Sequence, residues 1–228
     1  MTDASQWLDW AHEFKPPLGE DQPALKQIPP MARRRMSRLG RVAVQAVLGC
    51  RSDESELPMV FASRYGDVVR SLGLLEDFVR DGTMSPNGFS LSVHNAIAAM
   101  YSIALEDRSN VICVAGGRAS AAAGLIETAG LLCDSTPEVL LVCYDEALPV
   151  DYACYRDEPP CIWAWAWRVA LPAKGEGRLS LRSSAAVTGA EESTSLPASL
   201  DVFRHFLAGN SLLVQNIDGR RLEWQRHV

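Results

Sequence analysis

The sequence contains no run of about 18 apolar residues, so it offers no membrane-spanning helix. It has no C-x-x-C pair, which argues against a structural zinc site, and neither a metal nor a cofactor is expected. There is no G-x-S-x-G elbow and no P-loop lysine. The run Ala115-Gly116-Gly117-Arg118-Ala119-Ser120 lacks the dinucleotide spacing and reads as a tight turn from strand to helix. Histidine is scarce, with only four: His12, His94, His205 and His227. Positive charge is in the minority, 22 basic against 28 acidic side chains, for a net charge of -6. Such a chain is a poor candidate for general nucleic-acid binding. It opens Met1-Thr2-Asp3-Ala4-Ser5, without a basic segment leading into an apolar one, so no secretory signal is expected. The six cysteines then read as reduced thiols, and a cytoplasmic location is expected.

What is present is an ordinary globular balance, 47% hydrophobic and 22% charged over 228 residues. Residues 1–30 hold Trp7, Trp10 and Phe14, then five prolines, and read as an irregular lead-in packed on the domain. Residues 31–228 read as a single domain. Within it, 31–49 has helical spacing, with Arg33, Arg34, Arg35, Arg38 and Arg41 around the apolar stripe. A buried strand is predicted at 58–63, a helix at 67–80 and a short strand from Phe89 to Val93. The helix 96–105 is apolar nearly all round and is predicted to be buried. The continuous apolar runs 111–115 and 139–144 read as central strands covered on both faces, with an alanine-rich helix between them at 120–133. Further strands are predicted at 162–171 and 178–183, a loop over 184–199, a helix at 201–207, and two short strands around Asp218-Gly219. Strands alternating with helices over short connections indicate a layered α/β fold.

Three features invite chemistry, each with a plainer alternative. His94 stands in Ser92-Val93-His94-Asn95-Ala96 at the head of an apolar helix. There it can serve as a base beside helix amides, or simply bond to backbone while Ser92 or Asn95 caps the helix. Trp163, Trp165 and Trp167 alternate and share one strand face, as core packing or as the wall of an interface or tunnel. The five arginines form a solvated helix face, or a dock for an acidic partner or phosphate.

Ser85-Pro86-Asn87-Gly88-Phe89-Ser90-Leu91-Ser92-Val93-His94-Asn95-Ala96 is similar to the S-P-x-x-F-S-x-S-V-H-N-A motif of the β-ketoacyl-synthase-like N-terminal domain family. Arg34-Arg35-Met36-Ser37-Arg38-Leu39, the strand ending Ser63-Arg64-Tyr65-Gly66, Ala115-Gly116-Gly117 and Asp145-Glu146-Ala147-Leu148-Pro149 also resemble that family, from about residue 31 to the C-terminus. The resemblance implies a thiolase-like half-fold, a layered α/β domain with a mixed five-stranded sheet and a buried central helix. A ketosynthase has two similar halves, and this chain has the length of one. Ketosynthases attack an acyl thioester with a cysteine at the head of the buried helix, assisted by histidines of the second half. The corresponding region here, Val93, His94 and Asn95, contains no cysteine.

The resemblance therefore implies a non-catalytic, chain-length-factor-like subunit. It would form a heterodimer with a full-length ketosynthase and help shape the acyl tunnel, in fatty-acid-like, type II polyketide or aryl polyene biosynthesis. Phe89, Ser90, Leu91, Ser92, Val93, His94, Asn95, Met100 and Tyr101 would line the interface or tunnel, with 88–93 pairing across the dimer as a strand. Arg33, Arg34, Arg35, Arg38 and Arg41 would receive the acidic acyl carrier protein, unless the ketosynthase supplies that dock. Two rival expectations are a stand-alone carrier-dependent enzyme using His94 and Asn95, and a homodimeric acyl- or carrier-binding module.

Overall fold

The computed structural model describes residues 4–13, 15–17, 19, 22–51, 57–173, 177–186 and 195–227. Phe14 and residues 187–194 of the expected 184–199 loop lie outside them. In chain order the elements are α1 (Ala4–Ala11), α2 (Pro30–Arg35), α3 (Arg38–Cys50), β1 (Met59–Ala62), α4 (Val68–Asp81), α5 (Pro86–Ser90), α6 (Ala96–Leu105), β2 (Val111–Val114), α7 (Ser120–Cys133), β3 (Glu138–Asp145), β4 (Trp163–Ala170), β5 (Arg178–Ala185), α8 (Ala198–Leu207), β6 (Leu212–Ile217) and β7 (Arg220–His227).

The main sheet has the order β2-β1-β3-β4, with β1 parallel to β2 and β3, and β4 antiparallel to β3. It is mixed, as expected, but has four strands among the described residues rather than five. The strand expected at Phe89–Val93 is not formed. Ser85 caps a helix there, its Oγ accepting from Gly88 N at 3.1 Å, and Pro86 takes the first helical position. These two start signals override the alternation of Phe89, Leu91 and Val93, and turns carry Leu91 to Asn95 into α6. The β5-β7-β6 strands form a separate antiparallel sheet.

β1 and residues 139–144 of β3 are apolar without a break because both of their faces are covered. Val60, Ala62, Leu141 and Cys143 face one core, against α7, α8 and the second sheet. Met59, Phe61, Leu140, Val142 and Tyr144 face the other, against α3 and α6. Trp163 and Trp165 point into the first core, where Trp165 stacks on Phe203 and Trp167 meets Phe206 edge-on. The tryptophan alternation is core packing. β2, expected as a central strand, is an edge strand and only partly buried.

The helix expected over 31–49 is broken. Met36 is extended, and Ser37 restarts the helix by accepting from Gly40 N at 3.0 Å. The lead-in is not irregular throughout either, since it contains α1. Trp10 is buried, its Nε1 donates to Lys15 O at 2.9 Å, and α1 packs on α8.

α6 is buried along one side, at Ala96, Ile97, Ala98, Met100 and Tyr101, rather than all round. Asn95, Ala99 and Ile103, at i, i+4 and i+8, form an exposed stripe beginning at the head of α6, and Ile103 is 78% exposed. α7 packs between the main sheet and α8, and it too keeps an exposed side, with Ile126 58% exposed. At Gly124 an added Cβ would lie 2.7 Å from Leu141 Cδ1 and 2.8 Å from Ala62 Cβ, so only glycine admits this helix–sheet approach.

Candidate functional site

The carboxyl ends of β1, β2 and β3 lie together, as the parallel register requires. Ligand sites in open α/β sheets favour this end. After β1 comes Ser63-Arg64-Tyr65-Gly66-Asp67, and Asp145 at the end of β3 holds that loop. Its carboxyl accepts from Ser63 Oγ at 2.8 Å, Arg64 N at 2.9 Å and Tyr65 N at 3.2 Å. Ser63 Oγ also accepts from Gly66 N at 2.8 Å. His94 closes the arrangement, its Nε2 lying 2.9 Å from Ser63 O. A carbonyl only accepts, so this nitrogen carries a proton and donates. Gly66, at φ +60°, lies against the imidazole: a Cβ there would meet His94 Cα at 3.2 Å. His94 is thus held by backbone. Asn95 occupies the N-cap position of α6 but its side chain makes no capping bond.

Burial pushes the Asp145 carboxyl up to about 7, against the hydrogen bonds from Arg64, Ser63 and Tyr65. Glu146 is also pushed up to about 7, by burial and then by the nearby Asp67, with Arg38 opposing. Burial raises Glu158 as well. A carboxyl that binds its proton more tightly when folded adds stability at low pH, and loses it as pH rises through the folded value. His205 is lowered by burial and works the other way, one group against three. Asp107 and Asp157 are lowered, so their contribution disappears only below the ordinary carboxylate range. Denaturant midpoints are therefore expected to fall as pH rises from about 5 to about 8. A midpoint that rises over that range would contradict these assignments.

His94 and Asn95 open onto a groove of about 390 Å³ shared with Ala98, Ala99 and Ser102 of α6 and Val111 and Cys113 of β2. Met100 and Tyr101 are not in it. They face the core, where Tyr101 accepts from Arg51 Nη1 at 2.8 Å and donates to Asp107 Oδ2 at 3.2 Å. Burial raises the Tyr101 hydroxyl to about 12. Phe89 is exposed on α5, and Val93 is partly so on the turn before His94.

The turn from β2 into α7 is closed by the chain itself. Ser120 is 1% exposed; its Oγ donates to Gly117 O at 2.7 Å and accepts from Gly116 N at 3.1 Å. Ser199 of α8 accepts from Ala121 N at 3.0 Å and donates to Arg118 O at 3.2 Å. Burial raises the thiols of Cys50, Cys113, Cys143 and Cys161, with Cys113 at about 11 and Cys161 at about 12. These remain protonated near neutrality and are poor nucleophiles. Among the described residues no group of three or more metal-ligating side chains is assembled, and no helix is long and apolar enough to cross a membrane.

The arginine cluster is mostly bound to the chain's own groups. Arg33 donates to Ala24 O at 2.9 Å, Arg38 to Gly19 O, and Arg41 to Arg33 O at 3.0 Å. Arg35 donates to Asn87 Oδ1 at 2.6 Å. Arg34 alone of the five has no partner among the described residues. Sequence reasoning missed the Ser63–Asp145 pairing, although Asp145 at the end of an apolar run was its visible sign.

Residues 7–225 match the family described as beta-ketoacyl synthase, N-terminal domain. The chain belongs to that family. The match begins well before residue 31, where the motifs are first recognisable. The family domain is similar to a chain in the complex of a ketosynthase (ApeO) with its chain length factor (ApeC) from Xenorhabdus doucetiae, with 25% identity and a TM-score of 0.82. That likeness covers 99% of this chain and 94% of that one. It also shares its fold with the ishigamide ketosynthase/chain length factor, at 14% identity and a TM-score of 0.61, over 91% of this chain and 70% of that one. The thiolase-like layered α/β fold implied by the motifs is the fold of these neighbours. No curated protein matches the sequence.

Proposed function

We propose that this family domain is a non-catalytic, chain-length-factor-like subunit. It pairs with a full-length β-ketoacyl synthase and helps shape the acyl tunnel in fatty-acid-like, polyketide-type or aryl polyene biosynthesis. One observation carries the reading: the likeness to a chain of nearly equal length in a ketosynthase–chain length factor complex, covered almost from end to end. A two-halved ketosynthase would be covered only in part.

The site chemistry supports the same reading. Covalent acyl transfer needs an activated nucleophile. The heads of α6 and α7 carry His94-Asn95 and a buried Ser120, and the flanking thiols are held protonated. His94 uses its Nε2–H in a hydrogen bond to a backbone carbonyl and has no acidic partner among the described residues.

The surface expected to meet the partner shifts from 88–93, which forms no strand, to the edge of β2. That edge has no neighbour among the described strands and is bordered by the groove, and Ile103 lies exposed one helical turn beyond Ala99 of its lining. An unpaired strand edge beside exposed apolar side chains is a template for association. His94, Asn95, Phe89 and Val93 would border the same interface, with Ser90, Leu91 and Ser92 between them.

The test is co-expression of the tagged chain with the ketosynthases of its own genome, followed by mass analysis. A 1:1 complex that condenses acyl and malonyl carrier proteins, with neither subunit active alone, is the expected result. A discrete homodimer that ignores every ketosynthase would overturn the proposal.

A further inference from the structure

α4 is an amphipathic helix that the chain itself does not cover. Not one of its residues is buried, although Val68, Leu72, Leu75 and Val79 recur at i, i+4, i+7 and i+11 and form one apolar row. The helix is held to its own domain by the side next to that row. Ser71 Oγ donates to Ser92 O at 2.9 Å, Arg70 Nη2 donates to Arg35 O at 2.8 Å, and a Cβ on Gly88 would lie 3.0 Å from Leu74 Cδ1. The C-terminal half of the row is left open. Leu75 and Phe78 are half-exposed, and Val79 is 84% exposed. Large apolar side chains exposed side by side mark an association surface.

α5, packed on α4, adds the exposed Phe89, and the turn after it adds Val93, next to His94 at the head of the groove. Exposed apolar side chains thus follow one another along the chain from α4 to the surface assigned above to the ketosynthase. That surface needs an extension. The β2 edge is four residues long, whereas a stable complex engages about 20–30 residues on each side.

Charge selects the occupant. Glu76, Asp77 and Asp81 surround Val79, and Arg80, the basic residue of the last turn, is ion-paired with Asp77 and Asp81. A second copy seated on the same row about a two-fold axis would bring two such sets of carboxylates together. Nucleic acid, an anionic lipid surface and an acidic protein are repelled in the same way. What fits is an apolar pocket with a basic rim. We infer that the ketosynthase carries that pocket and that α4 is a second arm of its interface, an inference that rests on the partner reading above.

The probe is the purified ketosynthase of the same genome, titrated with the full chain. Val79→Ser is expected to raise the dissociation constant about tenfold, the worth of burying one valine side chain. Val150→Ser, at a comparably exposed valine beyond β3, is expected to bind like wild type. Glu76→Lys is expected to weaken binding by setting like charge against the basic rim, and wild-type binding is expected to weaken as salt rises.

Equal affinity of Val79→Ser and wild type, in a complex that does form, would overturn this inference and leave the partner reading standing. Tighter binding of Glu76→Lys, or equal losses at Val79 and Val150, would do the same. If the wild-type chain forms no complex with any ketosynthase, the partner reading fails and this inference with it. Self-association of the isolated chain that Val79→Ser abolishes would assign the row to a second copy instead, and binding to phosphatidylcholine vesicles lost in the same variant would assign it to lipid.

Discussion

Replacing Ile103 with Asp is expected to abolish the complex with the ketosynthase while leaving the isolated chain folded. Ile103 is 78% exposed on α6, one turn beyond Ala99 of the groove lining, so its side chain contributes little to the core. In a complex seated on that edge it would become buried. Burying an isoleucine contributes about 1.5–3 kcal/mol, and burying an unpaired carboxylate costs more. Together these raise the dissociation constant by at least about 100-fold. The control is Leu171→Asp, just beyond β4 at the opposite edge of the main sheet, which is expected to leave affinity unchanged. Titration of the two variants against the ketosynthase distinguishes the edges. A loss confined to Leu171→Asp would place the partner on β4 instead.

Trp224→Ala is expected to cost about 3–5 kcal/mol of folding stability, a large share of the roughly 5–15 kcal/mol typical of a domain. Trp224 is 1% exposed, between Leu181 and Leu213 at the centre of the second sheet. Its Nε1 donates to Gln215 Oε1 at 3.1 Å, and Gln215 Nε2 donates to Ala198 O at 2.8 Å. The indole thus fills the core over α7 and also ties the sheet to the start of α8. Trp224→Phe keeps most of the volume but leaves Gln215 Oε1 unpaired, a loss of about 1–3 kcal/mol. Urea titrations of the two variants provide the comparison. A Trp224→Ala midpoint within about 0.5 kcal/mol of wild type would mean that the second sheet does not hold this core closed.

The same accounting explains what was legible beforehand. β1 and β3 were readable because a strand covered on both faces must be apolar without a break. Trp163, Trp165 and Trp167 were readable as one face because a strand alternates sides. The start of α5 was visible as well, in Ser85-Pro86, but the alternating apolar residues after it pointed to a strand. Short segments often satisfy two patterns, and capping decided this one.

By itself, the sequence determined the α/β class, the strands β1, β3 and β4, the helices α4, α6 and α7, and the family through its S-V-H-N-A motif. These depend on periodicity and on residue types that are near one another in the chain. Tertiary structure alone decided that β2 is an edge, that α6 is buried along one side rather than all round, and that most of the α2–α3 arginines bind backbone. It also joined Asp145 to Ser63, 82 residues away. An apolar run looks the same in a central strand as in an edge strand covered by helices. Whether a neighbour supplies the missing hydrogen bonds, or a carbonyl takes up a guanidinium, depends on segments that only folding brings together.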